Sequence, residues 1–515
     1  MSWKKEISQI KLREKLAKQQ GGPDAVKLQH NKGRLTLRER IDILLDKDSF
    51  EEMGKIAGGA EYDDEGNISS LTPANFILGF GKIDNRDIIV GGEDFTVKGG
   101  SPNAAGLRKS VYTEDLAVKH KFPLVRLHEG GGGSVAGPSK EKKGYGGDPV
   151  FARSRFKSVA TSLKEVPVVS AALGPVAGLP ASRFVGSHFR IMTKDTAQIL
   201  VAGPAVVSRA FGKEFTKEEL GGSEVHKKNG VTDNIAENEE DAFRQIKKFL
   251  SFFPSNIYEL SPRKESEDDL KRAEKILEEI IPKDRKKTYE MRDVIKMVVD
   301  DKDFFEMSYF FGRGIITGFA RLNGYSVGIF ANDSNFYAGS MTADNAKKTT
   351  RFIKLCDQFN IPILTIVDEP GFLIGKKAEE DATILYGTEA VLAAADSSIP
   401  WCTLLVRKSF GVAAAAHFGE DSYVLAWPSS EAGALPLEGE GGVAVAFGKE
   451  IAKAKDPEKK RKEIEDKLAK SQSPFPRAEA FSVHEIIDPK DTRQYLCSWI
   501  SRVQKSLQVK LLENK

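Results

Sequence analysis

Four glycine-rich turns hold the residues of this chain whose types and spacing best suit chemistry. They span 129–134, 174–179, 368–372 and 407–412, and each follows a short apolar run. Because glycine lacks a Cβ atom, backbone N–H groups in such a turn can approach a ligand oxygen closely. A helix after the turn would direct its free N–H groups toward that oxygen. Two converging N–H groups form an oxyanion hole, worth roughly 3 kcal/mol per donor. The turns therefore predict sites for negatively charged oxygens, with purely structural turns as the alternative.

Other kinds of catalytic site find little support in the sequence. It contains no G-x-x-x-x-G-K-[ST] phosphate loop, no H-E-x-x-H zinc motif and no G-x-S-x-G nucleophile elbow. Cys356, Cys402 and Cys497 are widely separated and no Cys/His cluster has metal-ligand spacing, so no metal site is predicted. His128 beside Glu129 could act as a base, although a lone histidine is more often packed or hydrogen-bonded.

The elements that must position these turns come from one unit that occurs twice in the sequence. The stretch 77–84 resembles 316–323, and the same interval relates Asp94 to Asp333. Upstream the interval changes, which places an insertion around 61–75 in the first copy. A constant interval over such a length indicates duplication of a folding unit, and it governs the interpretation of the whole fold.

Each copy alternates predicted strands and helices. In the first copy strands are predicted at 87–92 and 121–127, and in the second at 325–330 and 361–367. A helix is predicted at 343–356 from its apolar spacing. This alternation favours parallel-type sheets covered by helices, which is an α/β fold.

The domain boundary is expected in a charged segment near the middle of the chain. We place the two domains at 1–260 and 261–515, with a linker helix over 261–287. The run 449–471 is predicted to be a charged helix with a solvated face.

Composition restricts the classes of function. The 515 residues exceed one ordinary core, and 40% hydrophobic with 29% charged residues is typical of a folded chain. A formal charge of +3 argues against electrostatically driven nucleic-acid binding. No apolar run reaches membrane-spanning length, and the amino terminus lacks a signal-peptide core. With unpaired cysteines as well, the sequence predicts a soluble, cytoplasmic protein without membrane insertion.

Motifs along nearly the whole chain resemble the carboxyltransferase β subunits of biotin-dependent acyl-CoA carboxylases, of the propionyl-CoA carboxylase type. The most specific block is 352–375, which contains Phe359-Asn360-Ile361-Pro362 and Pro370-Gly371-Phe372-Leu373. The remaining motifs are 29–42, 195–196, 203–207, 219–222 with His226, 230–231, 407–411 and Ala426-Trp427-Pro428.

The resemblance implies two tandem crotonase-like domains related by duplication. It implies an acyl-CoA thioester mainly on the first domain and carboxybiotin on the second, with the site between domains of different protomers in a closed homo-oligomer, commonly a hexamer. The implied reaction moves a carboxyl group from N1′ of biotin to the α carbon of a short acyl-CoA, through an enolate stabilised by oxyanion holes. The chain lacks an Ala-Met-Lys-Met biotinylation motif, so biotin would sit on a carrier subunit and be carboxylated by a biotin carboxylase subunit.

The resemblance also implies roles for individual residues. The backbone of Gly178 and Leu179 would serve the thioester oxygen, and that of Gly411, Val412 and Ala413 the biotin oxygen. Substrate-binding roles fall on the adjoining loops, at Gly131, Gly132, Gly133, Gly371 and Phe372. No metal is implied, and the roles of Glu129, His226 and Glu369 stay open.

Several departures from the family pattern keep alternatives open. Relatives often have Gly-Gly where this chain has Gly178-Leu179 and Gly411-Val412, and a left-handed φ would be costly at Leu or Val. Glu369 adds a carboxylate, and the run 413–416 lacks bulk. The alternatives are the α subunit of a biotin-dependent acyl-CoA decarboxylase and a non-catalytic structural paralogue.

Overall fold

A computed structural model describes residues 2–132, 154, 156–436 and 442–513. The chain divides into two compact units, Met1–Ile257 and Tyr258–Lys515. Gly133, one of the predicted substrate-binding residues, lies outside the described residues.

The first unit is built on a mixed sheet. Its strands are β1 (Glu51–Met53), β2 (Gly58–Tyr62), β3 (Ile68–Pro73), β4 (Phe76–Ile83), β5 (Arg86–Glu93), β6 (Leu124–Gly130), β7 (Val168–Ala177), β8 (Phe189–Thr193), β9 (Gln198–Leu200) and β10 (Asn234–Ala236). The sheet order is β1-β4-β5-β6-β7-β8-β10, and β9 pairs with the end of β7. Pairing is antiparallel from β1 to β5 and parallel from β5 to β10.

The second unit has the same topology. Its strands are β11 (Phe305–Met307), β12 (Ile315–Leu322), β13 (Tyr325–Asn332), β14 (Ile363–Glu369), β15 (Trp401–Phe410), β16 (Tyr423–Ala426), β17 (Glu431–Gly433) and β18 (Glu485–Ile486). The order is β11-β12-β13-β14-β15-β16-β18, with β17 paired to the end of β15. The predicted α/β duplication is therefore confirmed. The insertion in the first copy is the β2–β3 hairpin, a separate two-stranded sheet.

Helices cover the sheets in both units. Those of the first unit are α1 (Lys4–Ala17), α2 (Pro23–Asn31), α3 (Leu37–Leu44), α4 (Ala104–His120), α5 (Phe156–Glu165), α6 (Leu179–Val185), α7 (Pro204–Phe211), α8 (Lys217–Gly221), α9 (Ser223–His226) and α10 (Glu239–Ser251). Those of the second are α11 (Met291–Val298), α12 (Ala343–Gln358), α13 (Lys376–Glu380), α14 (Thr383–Ala395), α15 (Val443–Ala452), α16 (Pro457–Gln472), α17 (Pro474–Glu479) and α18 (Thr492–Glu513). Short 3-10 helices occupy Lys98–Gly100, Lys275–Glu278, Asp300–Lys302, Tyr337–Gly339, Ala413–His417 and Pro489–Asp491.

The central strands form where the sequence predicts them. β6 and β14 are buried along their whole length, as expected for parallel strands that are covered on both faces. Both strands carry a register shift against the next strand just before they end, between His128 and Gly130 in β6 and between Val367 and Glu369 in β14. This matched irregularity places the first pair of glycine-rich turns at equivalent points of the two sheets.

The two charged segments predicted to be helical differ in structure. The linker helix predicted over 261–287 is wrong, because that segment forms only the 3-10 helix Lys275–Glu278. Arg272 instead donates to the carbonyls at the end of α11, those of Met297 and Val299. The charged run 449–471 is helical and is divided between α15 and α16, and no residue of α16 is buried. No helix in the described part of the chain is long and apolar enough to cross a membrane.

Candidate active site

The second turn of the first unit presents two backbone donors. β7 ends at Ala177, Gly178 follows with φ +66°, and α6 begins at Leu179 with Pro180 in its first turn. The N–H groups of Gly178 and Leu179 donate no hydrogen bond to any residue the structure describes. Gly178 is exposed and Leu179 partly so. As far as the described residues are concerned, both amides are therefore available to a ligand oxygen.

The first turn of this unit packs directly on the second. Gly132 has φ +74°, and a Cβ atom at this position would lie 2.8 Å from the carbonyl oxygen of Ala177. Its own N–H has no acceptor among the described residues, whereas the Gly131 N–H donates to the Gly99 carbonyl at 3.1 Å. The fold thus brings Gly132 and Gly178 together, whereas the Gly131 N–H is already bonded within the protein.

The second unit repeats this arrangement with one change. Gly411 has φ +65°, and its N–H donates to the carbonyl of Gly433 in β17 at 3.1 Å. Gly411 therefore does not provide a free donor, because the pairing of β15 with β17 extends to its amide. The Val412 and Ala413 N–H groups have no acceptor among the described residues, and Val412 is 64% exposed.

The loop after β14 lies beside this turn. Gly371 has φ +123°, and a Cβ atom there would lie 3.9 Å from the carbonyl oxygen of Phe410. Its N–H is bonded to Glu369 Oε1 at 3.0 Å. Phe372 packs its ring against Gly387 of α14, within a cluster that includes Ala413. The fold places Gly371 and Phe372 beside the second turn, where they shape its surface. The Gly371 N–H is bonded within the protein and is not free to bind a ligand.

The departures from the Gly-Gly pattern cause no backbone strain. In both turns the left-handed φ falls on the glycine, Gly178 or Gly411. Leu179 begins a right-handed helix, and Val412 has φ −69° and ψ −32°, which any L-residue adopts. Leu179 and Val412 therefore keep their backbone N–H groups in unstrained conformations, and these two departures change only the side chains.

A buried carboxylate ends the central strand of the first unit. Glu129 is fully buried and contacts Arg34 at 2.7 Å, Arg40 at 2.6 Å and the Gln29 amide at 2.6 Å. Burial raises the pKa of Glu129, and the two arginines oppose that rise. Arg40 also bonds Glu239 at 2.7 and 2.8 Å. Glu129 is thus fixed as a charge partner inside the protein.

Asp368 occupies the equivalent place in the second unit. Arg407 donates to it three times, at 3.0, 3.0 and 2.7 Å, and the Tyr289 hydroxyl donates at 3.1 Å. Burial, and then the charge of Asp368, raises the pKa of Tyr289 well above its ordinary value. The Lys408 N–H also donates to Asp368 Oδ1, at 3.2 Å. This group is structural and holds β14 against β15.

The histidines singled out in the sequence are hydrogen-bonded within the protein. His128 is buried between Glu93, 3.0 Å from Nδ1, and Ser170, 3.3 Å from Nε2. His226 Nε2 lies 2.8 Å from the carbonyl oxygen of Ile199. The structure does not bring His128 to the exposed donors, so the alternative of a catalytic base at this residue loses its support. Among the described residues, no group of three His, Cys, Asp or Glu side chains could hold a metal ion.

Comparison with known proteins identifies the family of this chain. A family model described as the carboxyl transferase domain matches residues 28–513. The chain belongs to the carboxyl transferase family. The resemblance found in the sequence and the predicted enzyme class, a carboxyltransferase, are confirmed.

Individual relatives of this carboxyl transferase family member are similar over nearly their full length. The chain is 34% identical over 502 residues to the propionyl-CoA carboxylase carboxyltransferase subunit of Haloferax mediterranei, covering 96% of this chain and 95% of the relative. It is 35% identical over 488 residues to the methylmalonyl-CoA decarboxylase subunit alpha of Veillonella parvula, covering 94% and 93%. A solved transcarboxylase 12S, described as a hexamer assembly with methylmalonyl-coenzyme A and methylmalonic acid bound, has a TM-score of 0.88 and 31% identity over 98% of this chain and 96% of that one.

Sequence reasoning missed several residues that shape the two turns. Gly433 removes a predicted donor, and Asn332 and His417 surround Glu369. Comparison of the two copies at a constant interval could have found Asn332, because it falls at the repeat position of Glu93. No local signal marks Gly433, because its role depends on strand pairing.

Proposed function

We propose that this chain is the carboxyltransferase subunit of a biotin-dependent acyl-CoA carboxylase, moving a carboxyl group from carboxybiotin to the α carbon of a short acyl-CoA. The observation that carries the proposal is the pair of backbone N–H groups without a described acceptor at the equivalent turn of each unit. Gly178, Leu179 and Val412 are at least partly exposed, whereas Ala413 is buried. Transfer to an α carbon requires two oxygens to carry negative charge, one on the thioester and one on the biotin ureido group. The fold offers one pair of donors for each.

The residues act mainly through their backbone. The Gly178 and Leu179 amides would hold the thioester oxygen, whose negative charge grows as the weakly acidic α proton leaves. Val412 and Ala413 would hold the ureido oxygen, with Gly411 fixing the turn and not donating. Carboxybiotin, when bound, supplies the carboxyl group and then a base for the α proton. Gly132, Gly371 and Phe372 would shape the adjoining surfaces.

The two units take the two substrates in this proposal. We assign acyl-CoA to the first domain (1–260) and carboxybiotin to the second (261–515). Biotin would sit on a separate carrier subunit and be carboxylated by a biotin carboxylase subunit, and this chain would form a homo-oligomer, as the transcarboxylase 12S relative is described to do. A cytoplasmic location is part of the proposal, supported by three cysteines that are all free and buried.

A decarboxylase subunit is the second candidate. The similarity to the methylmalonyl-CoA decarboxylase subunit alpha is as high as that to the carboxylase relatives. The same amides would serve the reverse half-reaction, since stabilising an enolate lowers the barrier in both directions. The observation that favoured a non-catalytic paralogue is removed, because Leu179 and Val412 take up their places in the turns without backbone strain.

The experiment uses the full chain with free biotin as carboxyl acceptor. Carboxylated forms of acetyl-, propionyl- and butyryl-CoA are offered, and biotin-dependent release of the parent acyl-CoA is measured. We expect turnover with at least one thioester; none with any of them would overturn the proposal and favour a scaffold. Adding a biotin carboxylase, its carrier and ATP then tests direction, and net carboxylation is the expected result.

A further inference from the structure

Each unit contains a buried carboxylate that ends a strand and lies beside a buried histidine. In the first unit Glu93 Oε2 lies 3.0 Å from His128 Nδ1. In the second unit Glu369 Oε2 lies 3.6 Å from His417 Nε2. All four side chains are buried. The reaction proposed above uses none of them.

The two pairs are built from different positions of the repeat. Glu93 ends β5 and Glu369 ends β14, and these strands are neighbours in the repeat, not equivalents. At the equivalent positions stand Asn332, which ends β13, and Gly130, where a Cβ atom would lie 3.3 Å from Glu93 Cγ. The histidines also differ in repeat position, so each unit builds its acid–imidazole pair from residues of its own. The two pairs are alike in chemistry and in burial, not in origin.

Glu369 holds the loop that adjoins the second donor turn. Its Oε1 accepts the Gly371 N–H at 3.0 Å, and its Oε2 accepts Asn332 Nδ2 at 3.0 Å. Asn332 in turn donates to the Gly339 carbonyl and accepts the Asp368 N–H. Gly371 lies next to the carbonyl of Phe410, the residue before Gly411. The carboxylate thus fixes the loop at the point where it meets the turn.

His417 brings the helix that carries the donors within 3.6 Å of the same carboxylate. It is the last residue of the 3-10 helix Ala413–His417, whose first amide is a candidate donor. Its carbonyl accepts the hydroxyls of Thr365 and Thr403, and its ring packs on Phe330. Neither ring nitrogen has a hydrogen-bond partner among the described residues, which leaves Glu369 as the charge facing it. Burial raises the pKa of Glu369, and His417 opposes that rise.

We propose that Glu369 and His417 are positioning residues for the carboxybiotin side of the proposed reaction. The pair joins the Gly371 loop to the 3-10 helix and so sets the Val412 and Ala413 amides relative to that loop. Neither residue touches a reacting atom. The inference rests on the proposed function, and Glu93 with His128 provides the matched pair in the first unit.

The test compares Glu369→Gln with Glu93→Gln in the full chain, using free biotin and the acyl-CoA found active above. Glutamine keeps the shape and one acceptor oxygen but removes the charge that faces the histidine. We expect Glu369→Gln to raise the biotin concentration for half-saturation about tenfold and to leave the acyl-CoA KM within about twofold. Glu93→Gln should leave the biotin half-saturation within about twofold, because it lies in the other unit.

A second variant guards against failure of Glu369→Gln to fold. His417→Phe keeps a ring against Phe330 and removes the imidazole, and it should raise the biotin half-saturation in the same direction by about threefold or more. Unchanged biotin half-saturation in Glu369→Gln, or in His417→Phe if the first does not fold, would overturn the positioning role while the wild-type chain stays active. A wild-type chain without any transfer would overturn the proposed function, and this inference with it.

Discussion

The two donor turns occupy the same place in equivalent sheets, yet they offer different amides. In the first unit the pairing of β7 with β9 stops at Ala177 and Leu200, and the Gly178 N–H has no acceptor among the described residues. In the second unit the pairing of β15 with β17 extends one bond further, from the Gly411 N–H to the Gly433 carbonyl. The free donors therefore move one residue along the chain. The repeat sets where the turn lies, and the neighbouring strand decides which amides it presents.

The buried carboxylates beneath these turns differ in a related way. In the second unit Asp368 is neutralised by Arg407 on the adjacent strand. The repeat position of Arg407 in the first unit is Gly174, where a Cβ atom would lie 2.4 Å from Glu129 Oε1. No side chain fits there, so the positive charge comes from Arg34 and from Arg40 of α3. Both units thus keep a buried carboxylate, but the arginines that neutralise it come from different elements of the two copies.

The largest predicted effect tests the comparison of the two buried carboxylates and their arginine partners. Arg40→Met should lower the free energy of unfolding by about 5 kcal/mol, because it removes the shared partner of two buried carboxylates, Glu129 and Glu239. Arg407→Met should lower it by about 3 kcal/mol, because Asp368 keeps the Tyr289 hydroxyl and the Lys408 N–H. Urea unfolding of the two variants measures the difference. Equal losses would show that the origin of the counter-charge does not matter.

The next effect tests the donors themselves. Proline cannot replace Gly178, whose φ is +66°, but it suits Leu179 at the start of α6 and Val412 with φ −69°. Leu179→Pro and Val412→Pro each remove one N–H and should lower kcat by about 100-fold or more with the fold retained. Leu179→Ala and Val412→Ala, which keep the N–H, serve as controls.

Steady-state kinetics and circular dichroism provide the measurement for these four variants. A proline variant with wild-type kcat would exclude the corresponding amide as an oxyanion donor. A loss shared by the alanine control would assign the effect to the side chain instead.

The smallest predicted effect on the free energy of unfolding concerns Gly411 and the residue that follows it in the turn, Val412. Gly411→Ala should lower the free energy of unfolding by about 1–2 kcal/mol, because an L-residue must then adopt a left-handed φ. Val412→Gly should cost less than about 1 kcal/mol, through backbone entropy alone. Thermal unfolding of both variants checks the order. A larger loss in Val412→Gly would contradict the placement of the strain on Gly411.

Much of the architecture could be predicted from the sequence. The strands at 121–127 and 361–367 and the helix at 343–356 correspond to β6, β14 and α12, because buried parallel strands and amphipathic helices carry strong local patterns. The predicted linker helix failed for the opposite reason. Arg272 of this segment donates to the carbonyls of Met297 and Val299 at the end of α11, and such tertiary contacts override a weak helical pattern.

The sequence alone determined the duplication, the family and the position of each glycine turn, because repeat intervals and missing side chains are local properties of the chain. Only the tertiary structure decided which N–H groups stay free and which charges meet inside each unit. The partners involved, such as Gly411 with Gly433 or Arg40 with Glu129, are far apart in sequence and meet only through strand pairing and packing. A hydrogen bond depends on distances of a few tenths of an ångström, and the order of residues does not encode those distances locally.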